Sequence, residues 1–501
     1  MIPNNQKYKY SVKNLVKLYI KNQILSFLSN FANFVNICIN LNDEFMDRRS
    51  FLKKSAFTAT GLSLTPLIGK SYTSLYGHNA PSNKIKVGVI GLRNQGWANL
   101  RAFLKYPEVE CVSLCDIDDE WLYQRANELE EMTGKKPPQL VKDWRRVIDN
   151  KDVDMVIIGT PDHWHCLQMV AACEAGKDVF VEKPLANTIE ECDIMVKAAR
   201  KYNSIVQVNQ WQRSDPHWDD AAAYVQSGKL GKIRTVKVWA YQTSKWTLPV
   251  VPDSAPPAGV DYDMWLGPAP ERPFNQNRFH YNFRFFWDYA GGLMADWGVH
   301  LLDYAMKGMN VGLPSYVFGA GGKFGYPNDA METPDTLMAT YKYDDFNIIW
   351  DHACGVGNGL FNLREGVAFY GENGTLILTR RGWEVMPEQA VNRRNFPYCY
   401  PCDDERKPNT PRMEPVEMQL GKGNGLHQHA GNMLDCIRSR QLPNADIAIG
   451  AEVAKLSHMA NISSRVGKGL KWDNTTGTFD NLEANRLIKA YYRDPWKVPV
   501  I

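Results

Sequence analysis

Lys84-Ile85-Lys86-Val87-Gly88-Val89-Ile90 is a short strand-like run, and Gly91-Leu92-Arg93-Asn94-Gln95-Gly96 follows it directly. A helix-like pattern begins at Trp97. A strand, a glycine turn and a helix start make an anion site, because the free N–H groups of the first helical turn point at whatever sits there. The same pattern continues outward. Val109–Cys115 reads as a second strand ending on Asp116, followed by a helix over 119–132. Strand Val153–Gly159, helix 164–175, strand Asp178–Glu182, helix 188–201 and strand Ile205–Val208 complete it. Strands alternating with helices of this length call for a parallel sheet covered on both faces.

Against G-x-G-x-x-G the turn carries Arg93 where a glycine normally lets the backbone approach a pyrophosphate. Arg93 therefore either points away or pairs with a phosphate itself. Asp116 stands 20 residues after Gly96, at the end of the second strand, where a carboxylate bonds the ribose hydroxyls of a dinucleotide. A carboxylate there repels an additional phosphate, so NAD is the expected cofactor of a Rossmann domain over 84–210. A Rossmann-like domain with a dead cofactor site is the structural alternative.

The formal charge of +3 is unevenly held. Residues 1–80 carry +7 of it, so the other 421 residues sum to −4, and nothing in that mildly acidic body calls for nucleic acid. The N-terminus explains the asymmetry. Arg48-Arg49-Ser50-Phe51-Leu52-Lys53 resembles a twin-arginine export signal, with the apolar run Ala56–Leu67 behind it. That run is too short and too interrupted to span a bilayer stably, so no membrane span is expected in the mature protein. Met46 reads as the start, residues 1–45 as an upstream extension, and 46–83 as signal and linker. No clear A-x-A site marks the cut. Export to the periplasm is the expectation.

Ten cysteines are scattered along the chain, and Cys399–Cys402 forms one CxxC with no second pair at zinc spacing. Cys111, Cys115, Cys166, Cys173 and Cys192 lie in apolar surroundings and read as core residues. The histidines fall into no metal pattern, and no metal is expected.

Three further motifs complete the reading. Gly159-Thr160-Pro161-Asp162-His163-Trp164-His165 follows the third strand. Glu182-Lys183-Pro184 ends the fourth. Gly291-Gly292-Leu293-Met294-Ala295-Asp296-Trp297-Gly298-Val299-His300-Leu301-Leu302-Asp303 comes about 110 residues later. With the opening turn, these resemble the glucose–fructose oxidoreductase / inositol dehydrogenase (Gfo/Idh/MocA) family over about 84–470, and more narrowly its exported twin-arginine members. Ligands of open α/β sheets sit beyond the carboxyl ends of the strands, where Thr160-Pro161 and Lys183-Pro184 both fall. Asp296 and His300 are four apart on a helix-like stretch and would share a face, the carboxylate steadying the imidazole. The resemblance implies Lys183, Asp296 and His300 as catalytic residues. Gly91, Arg93, Asn94, Gln95, Gly96, Asp116, Thr160, Pro161, His165, Glu182 and Lys183 would contact NAD.

From 211 to 426 the alternation is lost. Ile233–Tyr241, Tyr316–Gly321, Leu337–Tyr343, Phe346–Ala353, Val367–Gly371 and Gly374–Thr379 read as strands of an α+β domain with a large, mostly antiparallel sheet. Asn373-Gly374 marks a hairpin turn. Helices at about 428–440 and 447–466 open a C-terminal region, 427–501, that packs on the body. Aromatic and basic residues cluster over 209–300, among them Trp211, Trp218, Trp239, Trp246, Trp265, His280, Tyr281, Trp287 and Tyr289, with about half expected in the core. Gln210, Arg213, Tyr241, Arg284 and His429 are the candidate substrate contacts. The resemblance also implies a homo-oligomer, a dimer or tetramer paired through the sheet.

The chemistry implied is hydride transfer from a sugar, glycoside or polyol carbon to nicotinamide. His300 removes the hydroxyl proton, Asp296 orients it, and Lys183 stabilises the oxygen. Free NAD is scarce outside the cytoplasm, so an exported enzyme must hold it tightly and regenerate it. One alternative is an NAD-dependent glycosidase working by oxidation at C3, elimination, hydration and reduction. Another, of a different class, is a non-catalytic sugar-binding protein with a vestigial Rossmann domain.

Overall fold

A computed structural model describes residues 84–136, 138–243, 247–390, 410–421 and 423–501. The Arg48-Arg49 signal, Trp246 and the Cys399–Cys402 pair lie outside the described residues.

The first sheet holds β1 (Ile85–Ile90), β2 (Val109–Cys115), β3 (Gln139–Val141), β4 (Met155–Ile158), β5 (Asp178–Val181) and β6 (Val206–Val208). Every pair is parallel, in the order β3-β2-β1-β4-β5-β6. Its helices are α1 (Asn94–Phe103), α2 (Asp119–Thr133), α3 (Asp162–Glu174) and α4 (Ile189–Lys201). Helices on both faces bury β4 and β5 completely, which is why both read as unbroken apolar runs. The strand order reverses between β1 and β4, and a crevice opens there beyond the strand ends.

The helix starts differ in a way that matters. Asp118 caps α2 by accepting from the Glu120 N–H, and Thr188 caps α4 by accepting from the Glu191 N–H. Arg93, at the same place on α1, makes no side-chain cap bond. The first-turn amides of α1 are left for something else.

The second sheet has ten strands. They are β7 (Thr235–Gln242), β8 (Tyr316–Gly322), β9 (Thr336–Lys342), β10 (Asn347–Cys354), β11 (Glu365–Tyr370), β12 (Gly374–Thr379), β13 (Gly382–Pro387), β16 (Val416–Leu420), β17 (Leu470–Asp473) and β18 (Thr478–Phe479). The two-residue strands β14 (Gln389–Ala390) and β15 (Thr410–Pro411) pair separately. All neighbours in the large sheet are antiparallel except β7 and β10. β10 alternates inward Ile348, Trp350, His352 and Cys354 with half-exposed residues, the signature of a sheet covered on one face. The expected 370–375 hairpin joins β11 to β12, with Tyr370 opposite Thr375. The cover comes from α5 (Pro216–Gln226), α6 (Gly292–Asp296), α7 (Gly298–Met309) and a long helix α9 (Ile447–Val466). The fold class is thus a Rossmann parallel sheet plus a domain with a large, mostly antiparallel sheet.

Two segments tie the halves together. The helix α8 (Gly425–Ser439) returns to the first sheet, where Asn432 accepts from Gln207 at 2.9 Å and Arg438 pairs with Glu108 at 2.7 Å. Residues 247–290 form a strap with its own core of Trp265, Phe274, Phe279, Phe286 and Tyr289. The strap crosses the end of β2: Asp261 N–H donates to the Ile117 carbonyl at 2.9 Å, and His280 Nε2 meets Asp118 at 3.0 Å.

Candidate active site

Two cavities meet beyond the carboxyl ends of the first sheet. The larger-walled one, about 430 Å³, is bounded by the glycine turn (Gly91, Arg93, Asn94, Gln95), Asp116, Thr160, Pro161, Glu182, Lys183 and the strap. The second, about 470 Å³, is bounded by Glu182, Lys183, Asn209, Trp211, Gln242, Arg284, Asp296, Trp297, His300, Arg364 and Arg380. Gln95, Glu182, Lys183, Tyr281, Arg284 and Asp296 line both.

The first cavity fits a dinucleotide. A Cβ on Gly96 would stand 2.0 Å from the Gly91 carbonyl oxygen, and one on Gly159 would stand 2.5 Å from the Gly96 Cα. Backbone therefore packs directly on backbone here, and the uncapped start of α1 opens onto the cavity. Arg93 lies 4.6 Å from the Trp121 ring, with Nε and Nη1 buried and without partners. The helix start and Arg93 are both donors waiting for an anion. Asp116 accepts from the Leu92 N–H at 2.8 Å and the Asp118 N–H at 3.1 Å, which leaves further lone pairs on each oxygen. Burial pushes its carboxyl up to about 6, against the help of those two amides.

At the shared wall, Lys183 Nζ donates to Asp296 Oδ1 at 2.6 Å and to the Asp296 carbonyl at 3.0 Å. Arg284 Nη1 pairs with Asp296 Oδ2 at 2.7 Å. Glu182 is buried and accepts from Asn99 at 2.7 Å, from Asn209 and from the Lys183 N–H, so amides rather than a cation hold it. His300 is buried, with an unpartnered Nδ1. Burial, with Lys183 and Arg380 beside it, holds its imidazole well below the ordinary histidine range.

Trp297, between α6 and α7, keeps helical dihedrals, and Asp296 and His300 stand on the wall of the same cavity, with the Asp296 carboxylate partly offsetting the depression of the His300 imidazole. Asp296 also braces Lys183 and Arg284. Four other expected contacts lie elsewhere. Arg213 is a two-toothed partner of buried Asp303 at 2.8–2.9 Å through Nε. Tyr241 donates to Asp351 at 2.5 Å on the large sheet. His429 is fully buried between the Val208 carbonyl (3.0 Å) and Ser214 Oγ (2.7 Å). Gln210 is buried and donates to the Val299 carbonyl at 3.2 Å. His165 does not line the first cavity but braces it, spanning the Thr160 and Pro184 carbonyls at 2.9 Å each. Each of these polar groups found an internal partner, which a linear sequence does not display.

The spacing argument missed Asp162, Gln242, Trp297, Arg364 and Arg380 on the cavity walls. Asp162 was quoted within a motif without a role. Burial holds its carboxyl well above the usual range. Arg380 sits in the β12–β13 turn and Arg364 just before β11, so only the sheet's registry brings them here. Trp218, Trp239 and Tyr289 are core residues, whereas Trp265, His280 and Tyr281 line the first cavity. Among the described residues no group of three or more His, Cys, Asp or Glu is gathered as a metal set would be.

Residues 85–210 match the model of the Gfo/Idh/MocA oxidoreductase family's NAD-binding Rossmann fold. Residues 220–312 match that family's C-terminal alpha/beta domain. The two matches support this family on both halves of the chain, and NAD as the cofactor of the first. A glycosyl hydrolase family 109 protein of Shewanella sp. (strain ANA-3) is 30% identical over 172 residues, 31% of this chain and 37% of the relative. One from Shewanella pealeana is 30% identical over 170 residues, with the same coverage. The chain thus spans little more than a third of the curated relatives it matches. Among solved structures, aldose-aldose oxidoreductase from Caulobacter crescentus, complexed with glycerol, is 18% identical with a TM-score of 0.55. It covers 77% of this chain and 99% of its own. Levoglucosan dehydrogenase in complex with NADH and levoglucosan is 20% identical, with the same TM-score and coverage. At these identities the structures show the fold alone.

Proposed function

We propose that the protein oxidises a hydroxyl-bearing carbon of a sugar, glycoside or polyol, with NAD in the first cavity and the substrate in the second. The observation that carries this is the position of Lys183: it belongs to both cavity walls, and a carboxylate fixes its ammonium at 2.6 Å. NAD, when bound, supplies the hydride acceptor. Lys183 donates to the substrate oxygen and stabilises its developing negative charge. His300, which lines the second cavity and is kept neutral by burial and by its cationic neighbours, accepts the hydroxyl proton. Asp296 positions Lys183 and balances Arg284. The strap covers the first cavity with Trp265, His280 and Tyr281, which supports a cofactor kept through many turnovers. The test is the reduced-nicotinamide absorbance of the holo-protein offered sugars and glycosides. Protein purified without added NAD should release the nucleotide on denaturation. Absence of both signals sinks the reading.

One observation favours a second reading. The Shewanella relatives are named as glycosyl hydrolases, and an NAD-dependent glycosidase needs the same groups. Oxidation at C3 is followed by loss of the glycosidic substituent, addition of water and return of the hydride, a net hydrolysis. Product analysis separates the two, since a keto-sugar marks a dehydrogenase and a released aglycone with an unoxidised sugar marks a glycosidase.

We also propose export through the twin-arginine route, supported by Arg48-Arg49 and the apolar run behind them. Arg48→Lys with Arg49→Lys should leave the protein in the cytoplasm. We further propose a homo-oligomer contact on the open face of the large sheet, a reading supported by the exposed Phe318 and Met338. Sedimentation should report a dimer or tetramer, and Met338→Lys should dissociate it.

A further inference from the structure

The charges around the second cavity do not balance. Lys183 and Arg284 share the single carboxylate of Asp296, and Glu182 is occupied by two amide side chains. Arg364 and Arg380 also line the cavity, and neither forms a salt bridge among the described residues. Arg380 lies against two indole rings, 4.6 Å from the centroid of Trp297 and 5.3 Å from that of Trp211. Its Nε is buried and without a partner. Glu365 accepts from the Arg380 backbone N–H at 3.4 Å, and its charge and that of Asp296 offset the guanidinium only in part, without an ion pair. Gln242 lines the same cavity, and its buried Nε2 has no partner.

A guanidinium with aromatic rings against it is held in orientation, and its remaining N–H edge is a planar fork. A planar fork matches a carboxylate in two parallel bonds. A neutral hydroxyl in that position would leave a largely buried charge only partly compensated, with a second guanidinium repelling it. Arg364 and Arg380 line the second cavity alone and Arg93 the first alone, so the anion expected at the start of α1 is not the partner of the two arginines.

We propose that the substrate carries a carboxylate, seated on Arg380 with Arg364 and Gln242 beside it, so that the protein acts on an acidic sugar such as a uronic acid or its glycoside. This rests on the second cavity being the substrate's. A carboxylate on Arg380 places the sugar ring between that fork and the Lys183–His300 pair, with the ring hydroxyls toward the reacting groups.

Calorimetric titration of the NAD-loaded protein with matched pairs tests it. Methyl glycosiduronates of gluco, galacto and manno configuration are compared with the corresponding neutral methyl glycosides and with their 6-O-sulfates. At least one glycosiduronate should bind about 30-fold more tightly than its neutral partner, as expected for a charge-assisted bidentate contact. Arg380→Met should bring that pair to within about threefold of each other, and Arg364→Gln, at an exposed position, should shrink the preference by about fivefold. No preferred glycosiduronate, a preference that survives Arg380→Met, or a preference for sulfates alone overturns the proposal. Should Arg380→Met not fold, an undiminished preference in Arg364→Gln overturns it equally. Lys183→Met separates this from the oxidoreductase reading: it should lose turnover and keep the carboxylate preference. A preference without turnover in the unaltered protein defeats the reaction and leaves the substrate class standing. Turnover of neutral glycosides without a preference does the reverse.

Discussion

Two ion pairs in this molecule look alike and do different work. Lys183 meets Asp296 at 2.6 Å, and Arg213 meets Asp303 at 2.5 Å. Both are made by a cation from the end of the first domain and an acid from the α6–α7 region. The Lys183 and Asp296 side chains keep 16% and 10% of their exposure, and both line the two cavities. Arg213 and Asp303 keep 10% and 1%, and neither lines either of these two cavities. A carboxylate beside a cation is therefore not a site by itself. The Lys183 pair has an open side where a substrate atom can stand, and the Arg213 pair has only protein around it.

The contrast can be broken by substitution. Arg213→Met strands a buried carboxylate, so denaturant unfolding should show a loss of about 3–5 kcal/mol, while turnover per folded molecule stays near its original value. If turnover collapses in fully folded protein, the two pairs are not distinct. Lys183→Met should do the opposite. Turnover should fall by about 10²–10³-fold, as when a transition-state donor is removed, with the fold intact because Arg284 still neutralises Asp296.

Smaller effects sharpen the cofactor side. Gly96→Ala puts a Cβ against the Gly91 carbonyl, and overpacking of this kind should cost about 1–3 kcal/mol, read as weaker NAD binding and a lower Tm. The least effect is a pH dependence. Burial raises the Asp116 carboxyl to about 6, so it is neutral below that pH and charged above it. NAD affinity should fall as pH drops through about 6, by at most about tenfold per unit, because the protonated group loses acceptor capacity for the ribose hydroxyls. Asp116→Asn should bind weakly and show no such dependence.

Much of the first domain is legible in the chain because local rules decide it. Apolar runs buried on both faces, helices at fixed intervals, and prolines after Thr160 and Lys183 all act within a few residues. β3 escapes that reading, since its three residues, one exposed and two half-buried, carry no pattern of their own. In the second domain β7 to β12 are visible through their alternation, whereas β16, β17 and β18 are short edge segments recruited by their neighbours. The spacing of Asp296 and His300 predicts a shared side, and both line the second cavity, but spacing does not report that the Asp296 carboxylate is bonded to Lys183 and Arg284.

By itself the sequence determined the parallel sheet, the glycine turn with Asp116, and Lys183 at a strand end. Each follows from short-range periodicity and from the rule that ligands gather beyond strand termini. Only the tertiary structure decided which polar residues are spent. It closed Arg213, Tyr241, His429 and Gln210 onto internal partners, and it carried Arg364 and Arg380 from the strand ends of another sheet to the wall of the site. The physical reason is that a charge's role is set by whether its partner is protein or open space, and that is a property of three-dimensional packing.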